Sequence, residues 1–230
     1  MNRDWWDRNP LGSLLVLTLL LMSGVLWALF LVGGIDYAYQ RIGIPEGAMF
    51  GVMFGSLAGS AINIPIARLR GRQRRDVQHI QIFGGRYRVP VVRQNTDTTL
   101  AVNLGGAVIP AGVSVYLLVK DSISWQAAVG VAFVAVIVHL IARPVEGRGI
   151  TIPGFIPPLL AAGISLAVDP HMAAPVAYVS GTLGTLIGAD LTNLDKLSEL
   201  GSGMASIGGA GTFDGVFLSG IVAVLLVGIA

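Results

Sequence analysis

Long apolar runs broken by short polar stretches set the pattern of this chain. A helix that crosses a bilayer needs about 20 predominantly apolar residues, and several of these runs approach that length. The first extends over about residues 11–32. Trp5 and Trp6 precede it and Tyr37 and Tyr39 follow, positions where aromatic side chains favour a membrane interface. It is longer than the roughly 7–15 residues of a signal-peptide core. Gly33-Gly34-Ile35-Asp36 gives no small-residue cleavage pattern, so the run reads as a retained helix.

The second run, about residues 47–67, puts Gly51, Gly55 and Gly59 on one face, which lets another helix approach closely. The third, about 100–119, contains Asn103, Gly105, Gly106 and Pro110, and the fourth covers about 123–142. The fifth, about 153–168, is short and carries Pro157-Pro158, which suits either a span or a re-entrant segment. The sixth covers about 173–190 and the seventh about 212 to the last residue, with a polar, glycine- and serine-rich stretch, 191–211, between them.

One segment breaks the pattern. Residues 68–98 hold eight arginines and read as two short strands, about 78–83 and 86–92, around Gly84-Gly85. A lone hairpin is marginal in water, so this one should lean on the helices, on lipid headgroups or on a partner. The expected fold is an all-α membrane protein of about seven transmembrane helices. Six spans plus a re-entrant segment is the alternative. A short cytoplasmic β-hairpin lies between helices two and three, and residues 1–230 form a single polytopic domain.

Composition agrees. Hydrophobic residues make up 53% of the chain and charged residues 12%, against about 25% charged in a typical soluble domain. With no cysteine, disulfides, thiol nucleophiles and thiolate metal sites are excluded. His79, His139 and His171 share no ligand spacing, so neither a metal site nor a cofactor is expected. The net charge of +2 is unevenly spread. Loops rich in arginine stay cytoplasmic, which places the 68–98 loop, the N-terminus and the Arg143–Arg148 loop on the cytoplasmic side of the cell membrane. The basic loop should attract anionic lipid at roughly 1 kcal/mol per basic residue. No nucleic-acid-binding motif accompanies its charge.

Charged groups inside membrane helices are costly and point to function. Asp190 closes helix six in Gly188-Ala189-Asp190, and Asp214 opens helix seven in Gly211-Thr212-Phe213-Asp214-Gly215. The intervening loop returns to the same side, so the two carboxylates share a depth. Two close carboxylates share a proton, which lets one activate water while the other protonates a carbonyl. Gly188, Gly211 and Gly215 would let a substrate backbone approach. Asn63 and Asn103, near the same end, are candidates for substrate support or interhelical bonding. The plainer reading makes Asp214 a helix cap and Asp190 an interfacial residue.

Asn63-Ile64-Pro65, Phe83-Gly84-Gly85-Arg86-Tyr87, Ala101-Val102-Asn103-Leu104-Gly105-Gly106, Phe155-Ile156-Pro157-Pro158 and the two aspartate motifs together resemble a prokaryotic family of polytopic membrane proteins of unknown function. A more distant resemblance is to the GxGD intramembrane aspartyl proteases, which place one catalytic aspartate on each of two neighbouring helices. It implies Asp190 and Asp214 as the catalytic pair and a membrane-protein or peptide substrate. The alternatives are a transporter or channel using membrane-embedded carboxylates, or a non-catalytic scaffold.

Overall fold

A computed structural model describes the backbone of residues 10–69, 73–82, 85–94, 97–145, 149–197, 204–209 and 213–230. Side chains are described for the same residues except 10–15, 17, 25–31, 46, 73–94, 149, 197, 213 and 214. Trp5 and Trp6 lie outside them.

Helix α1 (Pro10–Arg41) does not stop with its apolar run at Val32. The polar extension stays helical because it buries Ala38 and Tyr39, and Gln40 bonds the Asp36 carboxylate one turn back at 3.0 Å. Gly43, at φ +71°, then ends the turn in the left-handed region that glycine enters without strain. Tyr39, expected at an interface, is fully buried, its ring packed 6.5 Å from that of Tyr178.

The second and third apolar runs are not wholly helical, which corrects the sequence reading. Helix α2 (Glu46–Gly59) gives way to strand β1 (Asn63–Leu69). Pro65 disfavours helix at the residue before it, and Ile64 and Ile66 suit an extended chain. Strands β2 (Gln73–Ile82) and β3 (Gly85–Gln94) form the expected hairpin, longer than predicted mainly at its open end. The third run begins as strand β4 (Thr98–Asn103), turns through a π-helix (Leu104–Val108) and only then becomes α3 (Ile109–Lys120).

β1 and β4 pair antiparallel with Asn63 opposite Asn103 and Leu69 opposite Thr98. β2 and β3 pair antiparallel from Gln73 opposite Gln94 to Ile82 opposite Gly85. A bulge at Pro65/Ala67 sits in β1, an edge strand, where a proline without an N–H is tolerated. The expected glycine face of α2 is partly used. A Cβ on Gly105 of the π-helix would overlap the Ser56 carbonyl, and one on Gly59 would meet the Gly105 amide at 3.0 Å, so backbone packs on backbone there. Gly51 faces open space.

Helix α4 (Ser124–Ile141) matches its prediction closely. The basic loop after it carries a small ladder, β5 (Arg143–Val145) with β6 (Gly149–Thr151). Helix α5 (Ile156–Val168) is short, as expected, and starts at its two prolines. A 3₁₀ turn (Pro170–Met172) leads into α6 (Ala173–Thr185), a π-turn (Leu186–Asp190), a second 3₁₀ turn (Leu191–Asn193) and α7 (Leu194–Leu197). Strand β7 (Met204–Ile207) then pairs parallel with β4, completing a sheet of order β1-β4-β7, and α8 (Phe213–Ile229) follows. α6 is the hub, packed against α4, α5 and α8.

The described residues form a mostly helical protein of eight α-helices with small sheets. Two helical stretches are long and apolar enough to cross a membrane, Ser124–Ile141 and Pro170–Lys196. Only 28% of the first is buried, against 78% of the second. Trp125, Val129, Phe133, Val136 and Leu140 form an exposed apolar stripe along the whole of α4.

The turn from α5 into α6 is held by Asp169. Gln126 of α4 donates to its carboxylate at 3.2 Å, and the amides of His171 and Met172 donate to its other oxygen. The Gln126 bond is the main cause that holds this carboxyl below its ordinary value of 3.8. A depressed folded value means that the contribution to stability is complete above the unfolded value and is lost as the pH falls through the folded one. Asp169→Asn is therefore expected to lower the melting temperature in detergent at about pH 7, and the gap to wild type should close as the pH falls below the ordinary carboxylate range. Thermal unfolding across that range checks it.

Candidate functional site

Asp190 sits at the end of the π-turn with only 3% of its surface exposed. The turn matters for where it points. In an α-helix the residue stacked beneath Thr185 is four along, whereas a π-turn closes five along, which brings Asp190 rather than Ala189 beneath Thr185. π-turns of this kind occur often at functional sites.

The partner of Asp190 comes from the sheet. β7 ends at Gly208, whose amide donates to Asp190 Oδ2 at 2.7 Å. Gly208 has φ +66°, and a Cβ there would lie 2.8 Å from the Ala107 amide nitrogen and the Gly106 carbonyl carbon. Only glycine fits both demands. One residue earlier in the chain than Ile207, Ser206 donates its hydroxyl to Asn63 Oδ1. Asn63 Oδ1 also accepts from Asn103 Nδ2 at 3.1 Å. The two asparagines and the aspartate thus meet at one end of the molecule through β7.

Both asparagines lie on strands, not in helices as expected. Asn103 is 1% exposed and its amide is fully used. Besides Asn63, it donates to the Ser60 carbonyl at 2.7 Å, and its oxygen accepts from the Gly106 amide at 2.7 Å. It ties α2, β1 and the π-helix together, which is a positioning task. Asn103→Ala leaves two backbone groups without partners and is expected to cost about 2 kcal/mol of stability. Denaturant titration of purified protein reads this loss.

α8 runs antiparallel to α6. Gly181 lies against the Ser219 carbonyl, Thr185 Oγ1 donates to Ser219 Oγ at 3.2 Å, and Gly215 touches the Thr185 methyl at 4.0 Å. Stepping down α6 corresponds to stepping back along α8, so the first turn of α8, which contains Asp214, is level with the start of the π-turn, about one helical turn before Asp190. The Asp214 side chain and Gly211 lie outside the described residues. Gly215 is buried and faces Thr185 and Ile152, as a close-packing position of the α6–α8 contact.

Gly188 faces the other way. A Cβ on it would lie 2.9 Å from Ala135 Cα of α4, so it is a close-packing position against that helix. Its carbonyl accepts from Thr192 Oγ1 at 2.8 Å and Asn193 Nδ2 at 3.0 Å. Asn193, fully buried, also bonds the Ala189 carbonyl and accepts from Lys196 Nζ at 2.6 Å. His139 approaches Thr192 Oγ1 at 2.8 Å. Asn193, Ser206 and Gly208 were not singled out from sequence. The glycine pair Gly208-Gly209 was the available signal for a close backbone approach.

A mostly helical protein, with two helices long enough to cross a membrane and a small sheet that carries the partner of a buried aspartate, is the class these features define. The chain belongs to the family described as protein of unknown function (DUF1614), which matches residues 57–226. That span includes Asn63, Asn103, Asp190, Gly208 and Asp214. No curated protein and no solved structure matches the chain. The resemblance to a family of unknown function holds, and the one to GxGD proteases gains no support from these comparisons.

Proposed function

We propose that this chain is a multi-pass membrane protein whose Asp190 and Asp214 form a hydrolytic site of the aspartyl-peptidase type. The membrane setting is supported by the exposed apolar stripe of α4 and by Phe50, Phe54, Val115, Val119 and Leu159 on other helices. Apolar surface of this extent marks contact with lipid or protein. The arginine-rich hairpin favours a cytoplasmic position for the Asp190 end, beside anionic headgroups.

The observation that carries the site is the antiparallel match of α6 and α8, which supports a common level for the start of the π-turn and the first turn of α8. In such a pair one carboxylate is ionised and takes a proton from water, while the other donates its proton to the substrate carbonyl. Asp190 is suited to the fixed role, because the Gly208 amide orients its carboxylate. β1 is an edge strand with Ile64 and Ile66 exposed, which favours an extended peptide docking by strand addition.

The test compares membranes from cells that make wild type, Asp190→Asn or Asp214→Asn by mapping new peptide termini. Cleavages present only with wild type support the reading. Identical termini in all three sink it.

A further inference from the structure

The interior of the helical bundle carries a line of hydroxyls that the hydrolytic site does not use. Tyr178, Thr182 and Thr185 follow one another at steps of four and three on one face of α6, and the π-turn adds Asp190 beneath them. α8 contributes Ser219, bonded to Thr185. α1 contributes Tyr39, whose ring packs against Tyr178 at the opposite end from Asp190. All five hydroxyl-bearing residues are buried, at 1% exposure or less. From Tyr178 to Asp190 the line covers about 18 Å at about 1.5 Å per residue.

Among the described residues, the hydroxyls of Tyr39, Tyr178 and Thr182 make no well-formed hydrogen bond, yet Tyr39 lies within interaction range of Tyr178, and Tyr178 of Thr182. An unsatisfied hydroxyl in an apolar interior costs about 1–3 kcal/mol. Buried polar atoms without a well-formed bond also occur elsewhere, at Ser56, Thr98, Gln126 and Ser180, but these three follow one another along a single line, which helix packing does not require. A Phe at 39 or 178, or a Val at 182, would fill the same volume. Helix contact is already provided by Gly181 and Gly220, where α6 and α8 backbones meet. A hydroxyl both donates and accepts, so a file of them suits proton movement. Membrane-embedded carboxylates commonly end such relays.

We propose that the seam Tyr39–Tyr178–Thr182–Thr185/Ser219 is a proton path between the far end of the bundle and Asp190. A proton enters from water at the Tyr39 end. Each hydroxyl accepts one proton and passes one on, so none changes its net charge. The Asp190 carboxylate receives the proton and releases it at its own end. No oxidant or reductant takes part. The path shares Asp190 with the proposed hydrolytic site but needs neither Asp214 nor a peptide.

The experiment uses the full chain in phospholipid vesicles that hold a pH-sensitive dye, with potassium and valinomycin to clamp the potential. After a pH step, wild type is expected to dissipate the gradient at least about tenfold faster than protein-free vesicles. Tyr178→Phe, Thr182→Val and Asp190→Asn should each return the rate towards that of empty vesicles. Ser180→Ala is the control. Ser180 is also buried and without a partner, but it faces Gly130 of α4, off the seam. It should conduct as wild type does. A wild-type rate equal to that of empty vesicles overturns the proposal. So does full conduction by Tyr178→Phe and Thr182→Val, or a loss in Ser180→Ala equal to theirs, which would mark general destabilisation. Loss of flux in Tyr178→Phe with peptide cleavage intact would separate this path from the hydrolytic reading.

Discussion

Gly208→Ala is expected to be among the most destabilising single substitutions in the chain, at about 3 kcal/mol, from two costs that add. A non-glycine residue at positive φ carries about 1–2 kcal/mol of strain. Overfilling a packed site costs about 1–3 kcal/mol more. Here the obstacle is the Gly106–Ala107 backbone at 2.8 Å, which cannot rotate away as a side-chain tip would. The same residue supplies the amide that holds Asp190, so displacement of the turn also leaves a buried carboxylate with one bond fewer. Thermal unfolding in detergent measures the loss. Gly154→Ala, at a glycine with open space around it, should unfold as wild type does. If Gly208→Ala matches it, the turn is not the rigid support described.

The second large effect concerns activity. Asp190→Asn keeps an oxygen to accept the Gly208 amide, so folding should change by less than about 1 kcal/mol. It removes the ionisable group, however, and general acid–base catalysis by one such group is worth on the order of 10²–10⁴-fold. Cleavage should fall by that factor in Asp190→Asn and similarly in Asp214→Asn. The double variant should be little worse than either single one, because the pair acts as a unit. Additive losses would mean that the two aspartates work separately.

What the sequence disclosed depended on how local the cause was. α4 was legible from end to end because its apolar run contains no proline and no competing partner. The hairpin was legible from Gly84-Gly85 between β-rich segments. β1 and β4 were not, since short β-branched stretches inside a longer apolar run read equally as helix. Their state is decided by pairing with each other and, for β4, with β7 far along the chain. Asp190 stood out as an ionisable group in apolar surroundings. Its partner Gly208 did not, because that contact depends on β7 lying parallel to β4. The π-turn that swings Asp190 beneath Thr185 leaves no mark in Leu186–Asp190. The packing of Gly188 was not legible either, since α4, invisible from the local motif, lies against it.

The central claim, that Asp190 and Asp214 face each other across α6 and α8, can be tested directly because the chain has no cysteine of its own. A double variant, Asp190→Cys with Asp214→Cys, is oxidised in membranes and scored for an intramolecular disulfide. Such a bond requires Cα atoms within about 7 Å. Thr185→Cys with Ser219→Cys is the reference pair, since those hydroxyls lie 3.2 Å apart. The paired-aspartate account predicts a disulfide in both double variants. A disulfide in the reference pair and none between positions 190 and 214 would contradict it.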